Sequence, residues 1–192
     1  MKDALRLVGI AVACLVSGCQ SVPPDVGPHA GDRSVELRAF SGVPILRRSL
    51  FWDGEGEDDQ VGVKARHLWN VTDPLAIGVG LTGSTFFLGG PDAYAAEAEA
   101  VGKWYAWRES DWRAFVDLTG GWMQATRAVP KGGTEWNFSF SFGFGSEIDL
   151  SDDWSLLLGF TYHHISNALG HENVRNPSQN EGQFSLGAVY RY

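Results

Sequence analysis

Residues 134 to 148 alternate in polarity with a period of two. Trp136, Phe138, Phe140, Phe142, Phe144 and Ile148 share one parity, while Glu135, Asn137, Ser139, Ser141, Gly143, Gly145 and Glu147 share the other. This period predicts a β-strand with an apolar face and a face of small polar groups. The pattern recurs along the chain. Residues 154 to 166 place Trp154, Leu156, Leu158, Phe160 and Tyr162 together. Residues 112 to 122 set Trp112, Ala114, Val116, Leu118 and Trp122 against Arg113, Asp117 and Thr119. Residues 94 to 106 set Tyr94, Ala96, Ala98, Ala100 and Trp104 against Glu97, Glu99 and Lys103. Residues 61 to 71 set Val61, Val63, Ala65, Trp69 and Val71 against Lys64 and Arg66. Shorter runs at 35 to 39 and 75 to 81, and a last one at 182 to 192 ending in Tyr192, complete the series.

Eight strands follow, most of them near the ten residues that a tilted strand needs to cross a bilayer. Charges of both signs fall on the polar parity, where they can pair inside a narrow lumen filled by side chains. The apolar parity begins or ends in Trp or Tyr, as interfacial aromatic girdles do. A soluble sandwich gives no reason for paired charges on one face and girdling tryptophans on the other. The connections alternate in length. Residues 72–73, 108–111 and 150–153 are short, while 41–59, 82–92, 123–133 and 167–180 are long. This places both termini at the end with the short turns, the periplasmic side of an outer-membrane barrel. The expected fold is therefore an all-β, eight-stranded antiparallel up-and-down transmembrane barrel over residues 34–192.

Composition agrees. Only 20% of residues are charged, against 12% aromatic and 24 glycines, the balance of a barrel or sandwich. A net charge of −8 argues against nucleic acid as a partner. The first residues read as a targeting segment. Lys2 and Arg6 precede an apolar run from Leu7 to Val16, which ends in Val16-Ser17-Gly18-Cys19. That tetrapeptide resembles a bacterial lipobox. The resemblance implies a signal peptide over 1–18, a lipidated Cys19 and, with Gln20 following, sorting to the outer membrane. Cys14 lies in the removed segment, so no disulfide is expected. Residues 19–33, rich in proline and glycine, read as a flexible tether.

Chemistry concentrates at the end of the seventh strand, Tyr162-His163-His164-Ile165-Ser166-Asn167-Ala168. His164 and Ser166 are two apart and share the apolar parity. Polar side chains on a lipid-facing row are costly unless used or wetted, and an interfacial polar cap at a strand end is the alternative to a site. A serine hydroxyl becomes a nucleophile when a base accepts its proton, and histidine does so near neutral pH. The base needs an orienting partner. Parity points to Asn180, charge points to Glu181, and Glu172 is a weaker candidate. An oxyanion needs donors beside Ser166, for which the Asn167 amide and backbone N–H groups from Asn167 to Gly170 are candidates. His163, His171 and Glu172 show no metal-ligand spacing, and neither metal nor cofactor is expected.

The run His164-x-Ser166-Asn167-Ala168, followed by Asn176-Pro177 and a final strand, resembles the PagL-type lipid A 3-O-deacylase family, mainly over residues 134–192. The resemblance implies an outer-surface Ser-His-acid site, with a Glu at the start of the last strand, that hydrolyses an ester-linked acyl chain of lipid A in lipopolysaccharide. Two other readings stand beside it. One is a non-catalytic outer-membrane barrel lipoprotein with a structural or envelope-anchoring role. The other is a soluble periplasmic barrel, which requires an apolar interior and a polar exterior.

Overall fold

The computed structural model describes residues 27–46, 54, 56–169 and 176–192. Eight strands form: β1 (Arg33–Pro44), β2 (Asp59–Thr72), β3 (Leu75–Phe87), β4 (Ala93–Arg108), β5 (Trp112–Val129), β6 (Thr134–Asp149), β7 (Trp154–Ser166) and β8 (Gln179–Arg191). Each pairs antiparallel with its chain neighbours, and β1 pairs with β8, so the sheet closes in simple up-and-down order. Closure leaves no edge strand, so the backbone polar groups of the wall pair along the ladder on both sides of each strand.

The expected parity holds on every strand. Leu37, Val63, Leu81, Leu118, Phe144, Leu158 and Leu186 stand exposed on the outside, while Glu36, Arg66, Glu99, Lys103, Asp117 and Glu147 are buried inside. An apolar exterior around a charged interior is the inverse of the soluble ligand-binding barrel, and that reading falls.

The interior is narrow. A Cβ on Gly145 would lie 2.2 Å from the Leu158 carbonyl and 2.6 Å from the Phe115 ring, so only glycine fits where that ring fills the lumen. The charged layer is continuous. Arg66 Nε meets Glu99 at 2.7 Å and Arg66 Nη1 meets Asp117 at 2.7 Å. Arg38 joins Asp117 to Glu36. Lys103, wholly buried, bridges Glu36 and Glu147, and Arg191 also reaches Glu147.

Two long connections are shorter than the sequence suggests. β3 runs on to Phe87 and β5 to Val129, which leaves 88–92 and 130–133 as turns. The cause is a change of inner-face chemistry at this end. Phe86, Ala93, Ala95, Met123, Ala125, Val129 and Ile165 form an apolar cluster inside the barrel, and burial of that cluster extends the sheet past the polar stretch. The connections 45–58 and 167–178 remain long, and they lie at the same end, called the loop end below. The start of β8 also differs. It begins at Gln179 rather than 182, with Gln179 paired to Ile165.

Part of the expected tether is docked. Across the opposite end, the Ala30 N–H donates to Asp73 (2.9 Å), the Gly31 N–H donates to the Asn70 carbonyl (2.8 Å), and Arg108 and Arg113 donate to the Pro28 and Gly27 carbonyls (3.0 and 3.2 Å). Two arginines and an aspartate at the rim offer backbone partners that composition alone hides. The signal segment 1–18, Cys19 and the rest of the tether to residue 26 lie outside the described residues.

Removing one member of a buried ion network strands its partners at a cost of about 3–5 kcal/mol. Lys103→Met is therefore expected to lower the unfolding free energy of the refolded barrel by about that much, read from urea titration in detergent micelles.

Candidate active site

The ladder between β7 and β8 pairs His163 with Glu181, His164 with Asn180 and Ile165 with Gln179. Alternation is unbroken at the start of β8, so consecutive residues face opposite sides of the wall. Asn180 faces out with His164, and Glu181 faces in with His163.

On the outside, His164 Nδ1 lies 2.7 Å from Asn180 Oδ1. The same oxygen accepts from the Tyr162 hydroxyl at 2.7 Å. Asn180 Nδ2 donates to the Leu46 carbonyl at 2.9 Å, and the Ile45 N–H donates to the Asn180 carbonyl at 2.8 Å. The connection after β1 thus lies over this side chain, which is 1% exposed despite its outward position. A Cβ on Gly54 would come within 2.8 Å of the Asn180 nitrogen, so the same connection approaches closely from its far side as well.

On the inside, Glu181 meets His163 Nδ1 at 3.1 Å and accepts from Gln183 (3.0 Å) and from Gln179. Gln179 also ties Asp58 by donating to its carbonyl (2.8 Å) and accepting from its N–H (3.0 Å). Glu181, the residue that charge favoured as the partner of His164, is thereby corrected to a partner of His163. The regular ladder at residues 179–181 sends its carboxylate into the lumen. Asn180 occupies the place beside His164.

Ser166 closes β7 on the face that carries Tyr162 and His164. Two strand rises of about 3.3 Å separate it from His164. Its Oγ accepts from the Ala168 N–H at 3.3 Å. Ala168 has φ +57°, a left-handed conformation that a non-glycine residue adopts at a cost, and such strain collects at functional sites. The turn is held on both sides of it. The Asn167 N–H donates to Asn176 Oδ1 (3.0 Å), and Asn167 Oδ1 accepts from the Leu169 N–H (3.0 Å). Of the expected oxyanion donors, the Asn167 N–H is therefore directed at Asn176, while the Ala168 N–H points at the serine oxygen. Gly170, His171 and Glu172 lie outside the described residues. Among the described residues, no group of three or more His, Cys, Asp or Glu is arranged to hold a metal.

Sequence reasoning missed three contributors and the left-handed conformation of Ala168. The Tyr162 hydroxyl shares parity with His164, so its signal was present. Asn176 stood in a quoted motif without a role. Ala168 carries no conformational signature in its side chain. The Leu46 carbonyl is backbone from another part of the chain and has no sequence signal at all.

Below the site, toward mid-wall, Phe144, Phe160 and Phe184 pack across β6, β7 and β8, with ring centroids 5.5 and 4.9 Å apart. The family described as lipid A 3-O-deacylase (PagL) matches residues 58–189. The chain belongs to that family. The match runs from β2 into β8 and spans every described residue of the cluster except Leu46 and Ile45. Comparison with curated proteins gives no match. Among solved structures, the outer membrane protein OprG from Pseudomonas aeruginosa shares 10% identity (TM-score 0.55, covering 86% of this chain and 98% of that one). Neisserial surface protein A shares 13% (0.56, 84% and 96%), and the attachment invasion locus protein Ail of Yersinia pestis 11% (0.51, 85% and 99%). These likenesses are of fold, and together with the family they make the chain an integral outer-membrane barrel.

Glu181→Ala is expected to orphan buried donors of His163, Gln179 and Gln183, each at about 1–3 kcal/mol. The check is a lowered urea midpoint of the refolded barrel, with the His163 ring resonances displaced more than those of His164.

Proposed function

We propose that this barrel removes an ester-linked acyl chain from lipid A by a serine esterase mechanism, working within the outer leaflet. The observation that carries the reading is the hydrogen-bonded polar group of His164, Asn180 and Tyr162, with Ser166 beside it, built on a wall that is otherwise apolar. The loop end faces out of the cell in this reading, which sets the group level with the sugar headgroups and the aromatic wall level with the acyl chains. A lipid moving sideways reaches the site without leaving the membrane.

Ser166 Oγ attacks the ester carbonyl while its proton passes to His164. The Ala168 N–H, already directed at Oγ, lies where the carbonyl oxygen gains charge. The tetrahedral intermediate collapses, the C–O bond to the sugar breaks, and the proton on His164 goes to the departing sugar oxygen. Water, deprotonated by His164, then attacks the acyl-Ser166 ester, releasing the fatty acid and regenerating the hydroxyl. Asn180 orients the imidazole. An amide supports the imidazolium less than a carboxylate does, but its nitrogen also holds the Leu46 carbonyl. No cofactor takes part.

The signal peptide over 1–18 and the lipid on Cys19 belong to the same proposal. Seven residues separate Cys19 from Gly27, so the two are at most about 28 Å apart. Because Gly27 is docked at the turn end, the acyl anchor enters the membrane from the periplasmic side, beside the barrel.

A second reading, a non-catalytic barrel with a structural role, draws on the amide that stands beside His164 where the family's acid was expected. Mass spectrometry of lipid A from cells expressing the chain separates the two. Loss of the mass of one hydroxyacyl chain is expected, with the rate down at least about a thousandfold in Ser166→Ala and His164→Ala. Unchanged lipid A with the wild-type barrel folded in the outer membrane would leave the structural reading. Asn176→Ala, which frees the Asn167 N–H and loosens the turn after Ser166, is expected to slow deacylation about tenfold in the same assay.

A further inference from the structure

We propose that Tyr162 is a positioning residue of this site, and that it and the Leu46 carbonyl make residue 180 an amide by construction rather than a displaced acid. The proposal rests on the catalytic reading above.

An asparagine amide has two unlike ends, an oxygen that only accepts and a nitrogen that only donates. The Leu46 carbonyl also only accepts, and it lies 2.9 Å from Asn180 Nδ2. Turning the amide over would set two oxygens against each other at that distance. The contact therefore fixes Oδ1 on the side of Tyr162 and His164. There Oδ1 lies 2.7 Å from the Tyr162 hydroxyl and 2.7 Å from His164 Nδ1. Since Oδ1 only accepts, His164 Nδ1 carries the proton. The neutral imidazole then keeps its lone pair on Nε2, the form a general base requires.

The grip on residue 180 is twofold. Ile45 holds its backbone carbonyl and Leu46 holds its side chain. To do so Leu46 adopts φ +52°, a left-handed conformation that leucine rarely takes. The strain sits where the loop meets the amide, which is where strain carries functional meaning. Tyr162 reaches Asn180 along the diagonal of the ladder. Its directly paired residue is Gly182, and diagonal neighbours lie within reach of an aromatic side chain. A carboxylate at 180 keeps the acceptor for His164 and Tyr162 but has nothing to donate to Leu46, so the first connection keeps only its backbone hold through Ile45.

The test uses the full barrel refolded in detergent micelles, with 15N-labelled histidine and His164 assigned by comparison with His164→Gln. Wild-type His164 is expected to be the Nδ1–H tautomer when neutral. Tyr162→Phe is expected to keep that tautomer, which the Leu46 contact holds, but to lower kcat for p-nitrophenyl decanoate about tenfold, with KM changed less than twofold. Asn180→Asp, the isosteric acid, is expected to lower kcat by a similar factor. An Nε2–H tautomer in the wild type, an unchanged kcat in Tyr162→Phe, or a raised kcat in Asn180→Asp would each overturn the proposal. If the wild type hydrolyses no ester, the catalytic reading fails by itself, and the wild-type tautomer still decides whether the amide is locked.

Discussion

A backbone that crosses hydrocarbon must satisfy its N–H and C=O groups within itself, and a closed antiparallel ladder does so by giving each strand two partners. The same ladder leaves each residue one choice, in or out. Every later feature of this protein follows from that choice. At the loop end of β7 and β8 it splits two consecutive pairs, so that His163 and Glu181 meet inside while His164 and Asn180 meet outside. Two histidines adjacent in sequence thus occupy separate environments, one enclosed among buried glutamate and glutamines, the other on the wall beside Ser166.

The inside makes the outside precise. Glu36, Arg38, Arg66, Lys103, Asp117 and Glu147 link strands from around the barrel through buried ion pairs. Near the loop end, Glu181 and Gln179 tie the start of β8 to His163, Gln183 and Asp58. Such contacts fix the register of the short stretch that carries Asn180. The wall is rigid on its charged side, and the first connection folds over its other side to hold the Asn180 amide. A site built on strands in this way holds its geometry better than one carried on a free loop.

The sequence made the barrel legible because alternation is a local property. Phe138 against Ser139, or Leu118 against Asp117, reports the facing of a strand whatever lies across from it. The same rule put Asn180 on the His164 face; the preference for Glu181 came from charge, which carries no information about direction. Strand ends were harder to place. Phe86 and Met123 lie in stretches whose outer face is no longer strongly apolar, and only the cluster they form inside shows that the sheet continues. The docking of Gly27 to Gly31 on Asp73, Arg108 and Arg113 depends on distant partners, as does the Leu46 carbonyl over Asn180. Long-range backbone contacts leave no pattern in a single sequence, and they are what completes the site.

The central claim is that Ser166 is a nucleophile on the lipid-facing wall. An alkyl fluorophosphonate with a ten-carbon chain, added to the folded barrel in micelles, reports on it directly through peptide mass spectrometry. The account predicts one covalent adduct, on the peptide containing Ser166, absent when the protein is unfolded in urea and absent in His164→Ala. A folded barrel that takes up no adduct at Ser166, or takes it up equally well without His164, would contradict it.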